Sequence, residues 1–399
     1  MSTKVTRTRK FSLLTYKLTL FVLFIISMYP WFIWSVSPIY ICALASLGSF
    51  FFYLLNKGVF TLKKRNIPIN ILLILSFLIY SKSFSLFGTI EQIFVFINII
   101  FLLNLKDDLK TKIFDFITNG MAALLSISLF FYIIYLLGIP LPSSNILSSK
   151  LGYTSTNYYF FLTDLNFVEF NRFKSIFAEP GHLTMGLIPL LYVNRFNLKN
   201  KAVLTLLIAQ LFTLSLAGFL AIIFALIVYS FSRSVNTFYP RIILGILVVL
   251  SGFFVSRLSD DNLIYLAIVS RLTFNESTGT IAGYDRTDAN TDENFDRFIR
   301  SPDLFLGLGN ERTDTTVSEG SAGYKVFLIR FGLIATLFIF AFYLSFFLNY
   351  PKYEIFGFFL LVMVLLSQNA YPFWFCIVFS FILGVPKLYH QPKPLLKNS

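Results

Sequence analysis

The chain has 399 residues, of which 56% are hydrophobic and 13% charged, with a mean hydropathy of +0.73. A soluble domain carries about a quarter charged residues, so this composition excludes an ordinary soluble globular protein and points to an integral membrane protein. The formal net charge is +13; in such a chain the placement of Lys and Arg sets topology, and a nucleic-acid partner is not expected.

From the N-terminus, Lys4, Arg7, Arg9, Lys10 and Lys17 precede the apolar run Leu18–Tyr29 with no acidic residue among them. A second apolar segment begins almost at once at Val36, and no small-residue cleavage signal intervenes, so the pattern predicts a retained signal anchor with its N-terminus inside. Measured against the roughly 20 residues that cross a bilayer, apolar runs fall near 17–34, 36–55, 69–87, 88–105, 113–139, 181–194, 202–216, 218–231, 242–256, 323–349, 355–370 and 372–386. The expected fold is all-α and polytopic, with about twelve transmembrane helices and both termini cytoplasmic. Every short loop on the expected inner side carries Lys or Arg, including Lys57, Lys63–Arg65, Lys106–Lys112, Arg195–Lys201 and Lys387, as the positive-inside rule requires. The expected organisation is five helices in 1–139, an outer loop at 140–180, four helices in 181–256, a large outer loop at 257–322, and three helices with a cytoplasmic tail in 323–399.

The two long outer loops are the places with room for a polar site. The second holds twelve of the 20 acidic residues together with Arg257, Arg271, Arg286, Arg297, Arg300 and Arg312. Solvated ion pairs are the ordinary state of such a mixture. Within it, Leu263–Val269 reads as a capped helix lying on the membrane surface, and Gly307-Leu-Gly309 as a turn that lacks the further residues of a phosphate loop. Asp260-Asp261 and Asp292-Glu293 have no defined ligand spacing, so no metal and no cofactor is expected. Cys42 and Cys376 are far apart in apolar runs, and His182 and His390 are the only histidines, which leaves no disulfide framework and no His-rich metal site. Glu91, Lys82 and Arg330 lie in or near apolar segments, where charge is costly, and their roles stay open.

The first outer loop ends in the densest cluster of ionisable groups, Arg172-Phe-Lys-Ser-Ile-Phe-Ala-Glu-Pro-Gly-His182. Pro180 suits the first turn of a helix, where its missing N–H costs nothing. Glu179 then stands at or just before the helix start, where the dipole favours a carboxylate. Arg172 and Lys174 are near enough in sequence to hold a phosphate, since guanidinium binds it bidentately and stays charged. Glu179 or His182 can take a proton from an attacking hydroxyl. Each residue also has a plainer role: Glu179 as a helix cap, His182 as an interfacial side chain bonded to a carbonyl, and Arg172 and Lys174 as anchors to lipid headgroups.

The pattern Arg172-x-x-Ser175-x-Phe177-x-Glu179-Pro180-x-His182 at the start of a membrane helix resembles the Wzy-type O-antigen and capsular polysaccharide polymerases. So does the later run in which Arg286 precedes Phe298–Pro302, Leu304–Gly309 and Gly332-Leu-Ile334. The resemblance implies a metal-independent glycosyltransferase of the polytopic C type. It would move a growing glycan from undecaprenyl diphosphate to a new lipid-linked repeat unit on the extracytoplasmic face, among membrane lipids and alongside a chain-length regulator protein. It implies catalytic roles for Glu179, His182 and Arg172, and substrate contacts for Lys174, Arg286, Arg300, Arg257 and Arg271. The related ligases carry a histidine just before the helix that follows the large loop; here Glu319–Lys325 has none, which favours polymerase over ligase. Many relatives place a cation after the serine of the segment that reads Ser215-Leu-Ala-Gly218 here, so one expected outer-face charge is missing. A lipid-linked oligosaccharide flippase or secondary transporter is the alternative from another class, and it should concentrate polar residues at the bilayer midplane.

Overall fold

The computed structural model describes residues 2–34, 36, 38–56, 59–60, 64–80, 86–147, 154–164, 172–231, 274–275, 280–281, 289–317, 323–350, 355–367 and 373–390. The molecule is mostly helical. The helices are α1 (Ser2–Ile26), α2 (Pro38–Leu55), α3 (Ile67–Tyr80), α4 (Leu86–Leu103), α5 (Asp107–Leu136), α6 (Pro180–Val193), α7 (Lys201–Phe212), α8 (Leu216–Phe231), α9 (Ala289–Ile299), α10 (Asp303–Leu306), α11 (Gly309–Thr316), α12 (Tyr324–Leu348), α13 (Ile355–Ser367) and α14 (Phe375–His390). Each expected apolar segment falls on a helix except 242–256, which lies outside the described residues, as does the expected surface helix at 263–269.

Among the described residues, α5 and α12 are long and apolar enough to cross a membrane singly, and eight further helices have shorter apolar runs. The outward faces support membrane insertion. On α2, Tyr40, Leu44, Leu47, Phe51 and Leu54 recur at helical spacing and stay exposed, Tyr40 by 73% and Leu44 by 70%. Ile67, Ile71, Ile74 and Leu78 make the same stripe on α3. Water does not tolerate apolar stripes of this length on a monomer, whereas lipid does.

Two helices form the centre. α14 is buried all round, with Cys376 through Phe379 and Phe381 through Leu383 at no more than 1% exposure, and α6 is buried from Leu183 to Val193. They pack on each other, and α14 also packs on α5, α1 and α4. Lipid-embedded helices associate by close packing rather than by escape from water, and small residues at the contact allow it. A Cβ on Gly384 of α14 would stand 2.6 Å from Val193 and 2.8 Å from Phe114.

The loops sort to two ends. At one, Phe60 bridges Leu105, Asn66 donates to the Leu103 carbonyl, and Lys387 reaches Asn194. These are the loops expected on the inner side. At the other, Pro30 bridges Phe177, the Phe173 N–H donates to the Phe212 carbonyl, and the Cys376 N–H donates to Ser27 Oγ. The expected fold is all-α, but the first outer loop contains an antiparallel three-stranded sheet of β1 (Ser144–Leu147), β2 (Thr154–Asn157) and β3 (Leu162–Asp164) in that order. Its β2–β3 hairpin is closed by Tyr158 stacked on Phe161 at 4.7 Å. A two-stranded pair, β4 (Phe274–Asn275) and β5 (Thr280–Ile281), occurs in the second loop.

α12 is broken near its start. Gly332 has φ 71° and ψ 176°, a conformation open to glycine, and the backbone of the Gly307 turn docks into the break. The Leu308 N–H donates to the Ile329 carbonyl at 2.7 Å, and a Cβ on Gly307 would stand 2.5 Å from the Arg330 carbonyl oxygen. Gly307-Leu-Gly309 is therefore a packing element as well as a turn. Arg330, 7% exposed, sits at this junction.

Candidate functional site

The segment 172–179 is threaded into the bundle rather than laid on it. Phe173 to Ala178 are all buried, while Arg172 and Glu179 are half-buried at its ends. Backbone bonds hold it on both sides. The Trp31 N–H donates to the Ile176 carbonyl, the Ala178 N–H to the Tyr29 carbonyl, and the Leu162 N–H to the Ser175 carbonyl. Ser175 takes a left-handed φ of 51°, uncommon outside glycine, and its hydroxyl meets that of Ser128 on α5 at 2.7 Å.

Glu179 is the N-cap residue of α6, extended at φ −137° and ψ 153°, and Pro180 occupies the first turn as expected. The Glu179 side chain makes no capping hydrogen bond. Its favourable place at the helix start therefore rests on the dipole rather than on a side-chain bond to the first turn. Its charge acts on both Lys174 and His182, and that of Arg172 on Lys174. The four ionisable groups singled out in the sequence therefore share one electrostatic environment.

Lys174 differs from its expected role at an exposed phosphate. Its side chain is 1% exposed and pairs with Asp164 of β3, with Ser155 of β2 at 3.4 Å. Burial pulls the ammonium pKa below its usual range, and the Asp164 carboxylate opposes that. The geometry makes Lys174 the tie between the segment and the sheet.

His182, one turn into α6, lies edge-on to Tyr29 at 6.4 Å and to Trp374 at 5.8 Å between ring centroids. Its Nδ1 is sealed from solvent and has no hydrogen-bond partner among the described residues. On the neighbouring helices, Gln210 Nε2 donates to Thr184 Oγ1 at 3.0 Å and to Thr213 Oγ1 at 3.2 Å. The amide packs so closely on Gly218 that a Cβ there would stand 2.2 Å from Nε2. This brings the Ser215–Gly218 stretch beside α6. Where the resemblance expects a cation, a neutral amide fills the junction.

The second loop contributes less. Arg300 is exposed in the turn that ends α9, and the described part of its unit is tied to α12 through Asp292 and Lys325 at 2.6 Å. Arg297 pairs with Glu293 one helical turn away, both mostly exposed, so Asp292-Glu293 serves ion pairs. Arg257, Arg271 and Arg286 lie outside the described residues, as does Lys82. Among the described residues no three His, Cys, Asp or Glu side chains stand together to hold a metal ion.

No protein-family model, curated protein or solved structure matches the chain. The functional reading therefore rests on the residues themselves and on the motif resemblance.

Sequence reasoning passed over Gln210, Ser128 and the three tryptophans. Gln210 interrupts an apolar run, which was the available signal; the others have no local one.

Proposed function

We propose that the protein is a polytopic membrane glycosyltransferase, a Wzy-like polysaccharide polymerase acting on lipid-linked repeat units. The observation that carries this reading is the placement of Arg172, Glu179 and His182 on one buried-backbone segment at one end of the bundle, with the Glu179 carboxylate not used in capping. In the bilayer that end faces outward, because the loops at the other end hold Lys and Arg. About twelve spans, counted from the apolar runs of the sequence, complete this reading.

In the reaction, a hydroxyl of the acceptor repeat unit attacks the anomeric carbon of the donor glycan. The new carbon–oxygen bond forms as the bond to the undecaprenyl diphosphate breaks. Glu179, with His182 beside it, takes the hydroxyl proton. Arg172 neutralises the charge that accumulates on the departing diphosphate, where a fixed guanidinium acts more strongly than water. The resemblance assigns Arg286 and Arg300 of the second loop to the same diphosphate. Lys174 acts indirectly, by fixing the segment to the sheet.

The test is complementation of a strain that lacks the gene, with glycan length read on a gel. Wild type should restore a ladder, and Glu179→Gln and Arg172→Ala, inserted at normal levels, should leave single repeat units. Full ladders from both variants would move the site elsewhere. Full-length glycan in cells without the protein would overturn the polymerase reading.

A further inference from the structure

All three tryptophans of the chain, Trp31, Trp34 and Trp374, gather around the entrance to α6, although more than three hundred residues separate the first two from the third. Trp31 is joined to the segment through its backbone at Ile176, Trp34 packs with Ala178 and Leu162, and Trp374 makes a T-shaped contact with His182. Tyr29 completes the group between Trp34 at 6.3 Å and His182. Interfacial tryptophans commonly form belts that face lipid headgroups. Here they turn inward onto the catalytic segment, and the outward faces are left to Leu, Ile and Phe.

The polar atoms of this group point to a ligand. Trp31 Nε1, a donor, and His182 Nδ1 are both sealed from solvent with no hydrogen-bond partner among the described residues. A buried polar atom left unpaired costs about 1–3 kcal/mol, and natural proteins keep few of them outside sites that use them. Tyr29, Trp31, His182 and Trp374 are each only half-buried as residues, so a ligand can meet the edge of the cluster and reach the two sealed atoms by a small turn of the Trp31 and His182 rings. A pyranose ring satisfies both demands. Its C–H face lies against an aromatic ring, and its hydroxyls accept from the indole N–H and donate to the imidazole nitrogen.

We propose that this aromatic box is a saccharide subsite that holds a pyranose of the acceptor glycan against Trp374, with hydroxyls on Trp31 Nε1 and His182 Nδ1. The inference rests on the glycosyltransferase reading and names where the acceptor sugar sits. A hydroxyl held on His182 is within the environment of Glu179, which places the attacking oxygen beside its base.

Because every tryptophan lies in this cluster, tryptophan emission of the full chain in detergent, excited at the red edge where the 21 tyrosines absorb little, reports on it. The probe is the oligosaccharide released by mild acid from the host's own lipid-linked glycan, with undecaprenyl phosphate as the sugar-free control. A saturable change in emission with the oligosaccharide, and none with the carrier, is expected for wild type. His182→Ala and Trp374→Leu should raise the half-saturating oligosaccharide concentration about tenfold or more, the equivalent of one lost buried interaction, read from the midpoint because Trp374 is itself a reporter. Trp31→Phe, which keeps an aromatic ring but removes the N–H and part of the ring surface, should weaken binding less, and Trp374→Phe, which keeps a ring and controls for folding, should retain most of it. No response of wild type to the oligosaccharide, an equal response in His182→Ala and Trp374→Phe to that of wild type with none lost in Trp374→Leu, or an equal response to the carrier alone would each overturn the subsite. Should cells without the protein still make full-length glycan, the polymerase reading falls while the sugar response stands on its own measurement.

Discussion

At the end of the bundle where α6 finishes, Lys387 of α14 donates to Asp115 of α5 at 2.6 Å and to Asn194 at 2.8 Å, and Asn194 in turn donates to Thr118 and to the Leu190 carbonyl. Arg195 donates to the Leu388 carbonyl, and Lys387 also lies 5.3 Å over the Phe114 ring. At the end where α6 begins, the same three helices frame a cluster that includes Trp31 Nε1 and His182 Nδ1, two buried polar atoms with no partner among the described residues. The network around Lys387 is closed, whereas the cluster at the start of α6 leaves two atoms open; Asn70 Oδ1 near the start of α3 is likewise buried with no partner among the described residues. Closed networks hold helices in register, while open ones are kept where a substrate completes them. On the proposed reading, the Lys387 network serves stability and the cluster at the start of α6 serves chemistry.

The largest effect expected from that contrast is at Glu179. Glu179→Gln keeps the shape and removes the base, so polymer formation should fall by about 100- to 10,000-fold, with the melting temperature of the purified protein unchanged. A variant that melted early would make Glu179 a structural residue and erase the distinction between the ends. Next comes Gly332→Ala. The residue has φ 71°, and a Cβ would stand 2.3 Å from Gly307 N, so strain and overlap together should cost roughly 2–5 kcal/mol. Thermal unfolding in detergent measures this, and a melting curve like wild type would refute the docking of the Gly307 turn into α12.

Lys174 sharpens the comparison, because it belongs to the reactive end but is tied up like a residue of the other. Lys174→Met and Asp164→Asn should each loosen the sheet by about 1–2 kcal/mol, with faster protease cleavage within 144–164, and the double variant should be little worse than either. If Lys174→Met weakened binding of the lipid diphosphate while the sheet stayed protected, the lysine would return to the phosphate site.

The start of α6 and the charged segment before it were legible because their signals are local. Pro180 and Glu179 mark a helix start within two residues, and the charges from Arg172 to His182 stand out against apolar neighbours. The two ends of the bundle were legible as well, since Lys and Arg gather in the loops that meet around Lys387. The sheet was hidden because Ser144–Leu147 and Thr154–Asn157 are rich in Ser, Thr and Asn, and their pairing is fixed by tertiary contacts with Ser175 and Lys174. Propensity yields to such contacts in strands. The burial of Lys174 depends on Asp164, and the aromatic box joins residues near 30 to residue 374; neither leaves a periodicity to read. Gly307 signalled a turn, but its partner Gly332 sits in an apolar run where only the fold explains it.

The smallest effect belongs to the closed end, and it completes the contrast. Lys387→Met removes the ammonium and keeps the stem that packs on Phe114. The Asp115 side chain is 46% exposed, so water recovers much of its lost partner, and the cost should be about 1 kcal/mol or less. Asn194 loses one donor and keeps its bonds to Thr118 and Leu190. The expected result is a slightly lower melting temperature with full polymer length per folded molecule, the reverse of Glu179→Gln. A Lys387→Met protein that melted normally but made only single repeat units would mean that the closed network carries function too, since a charge pair holding α5, α6 and α14 at their far ends would then control the geometry of Glu179 through the length of α6.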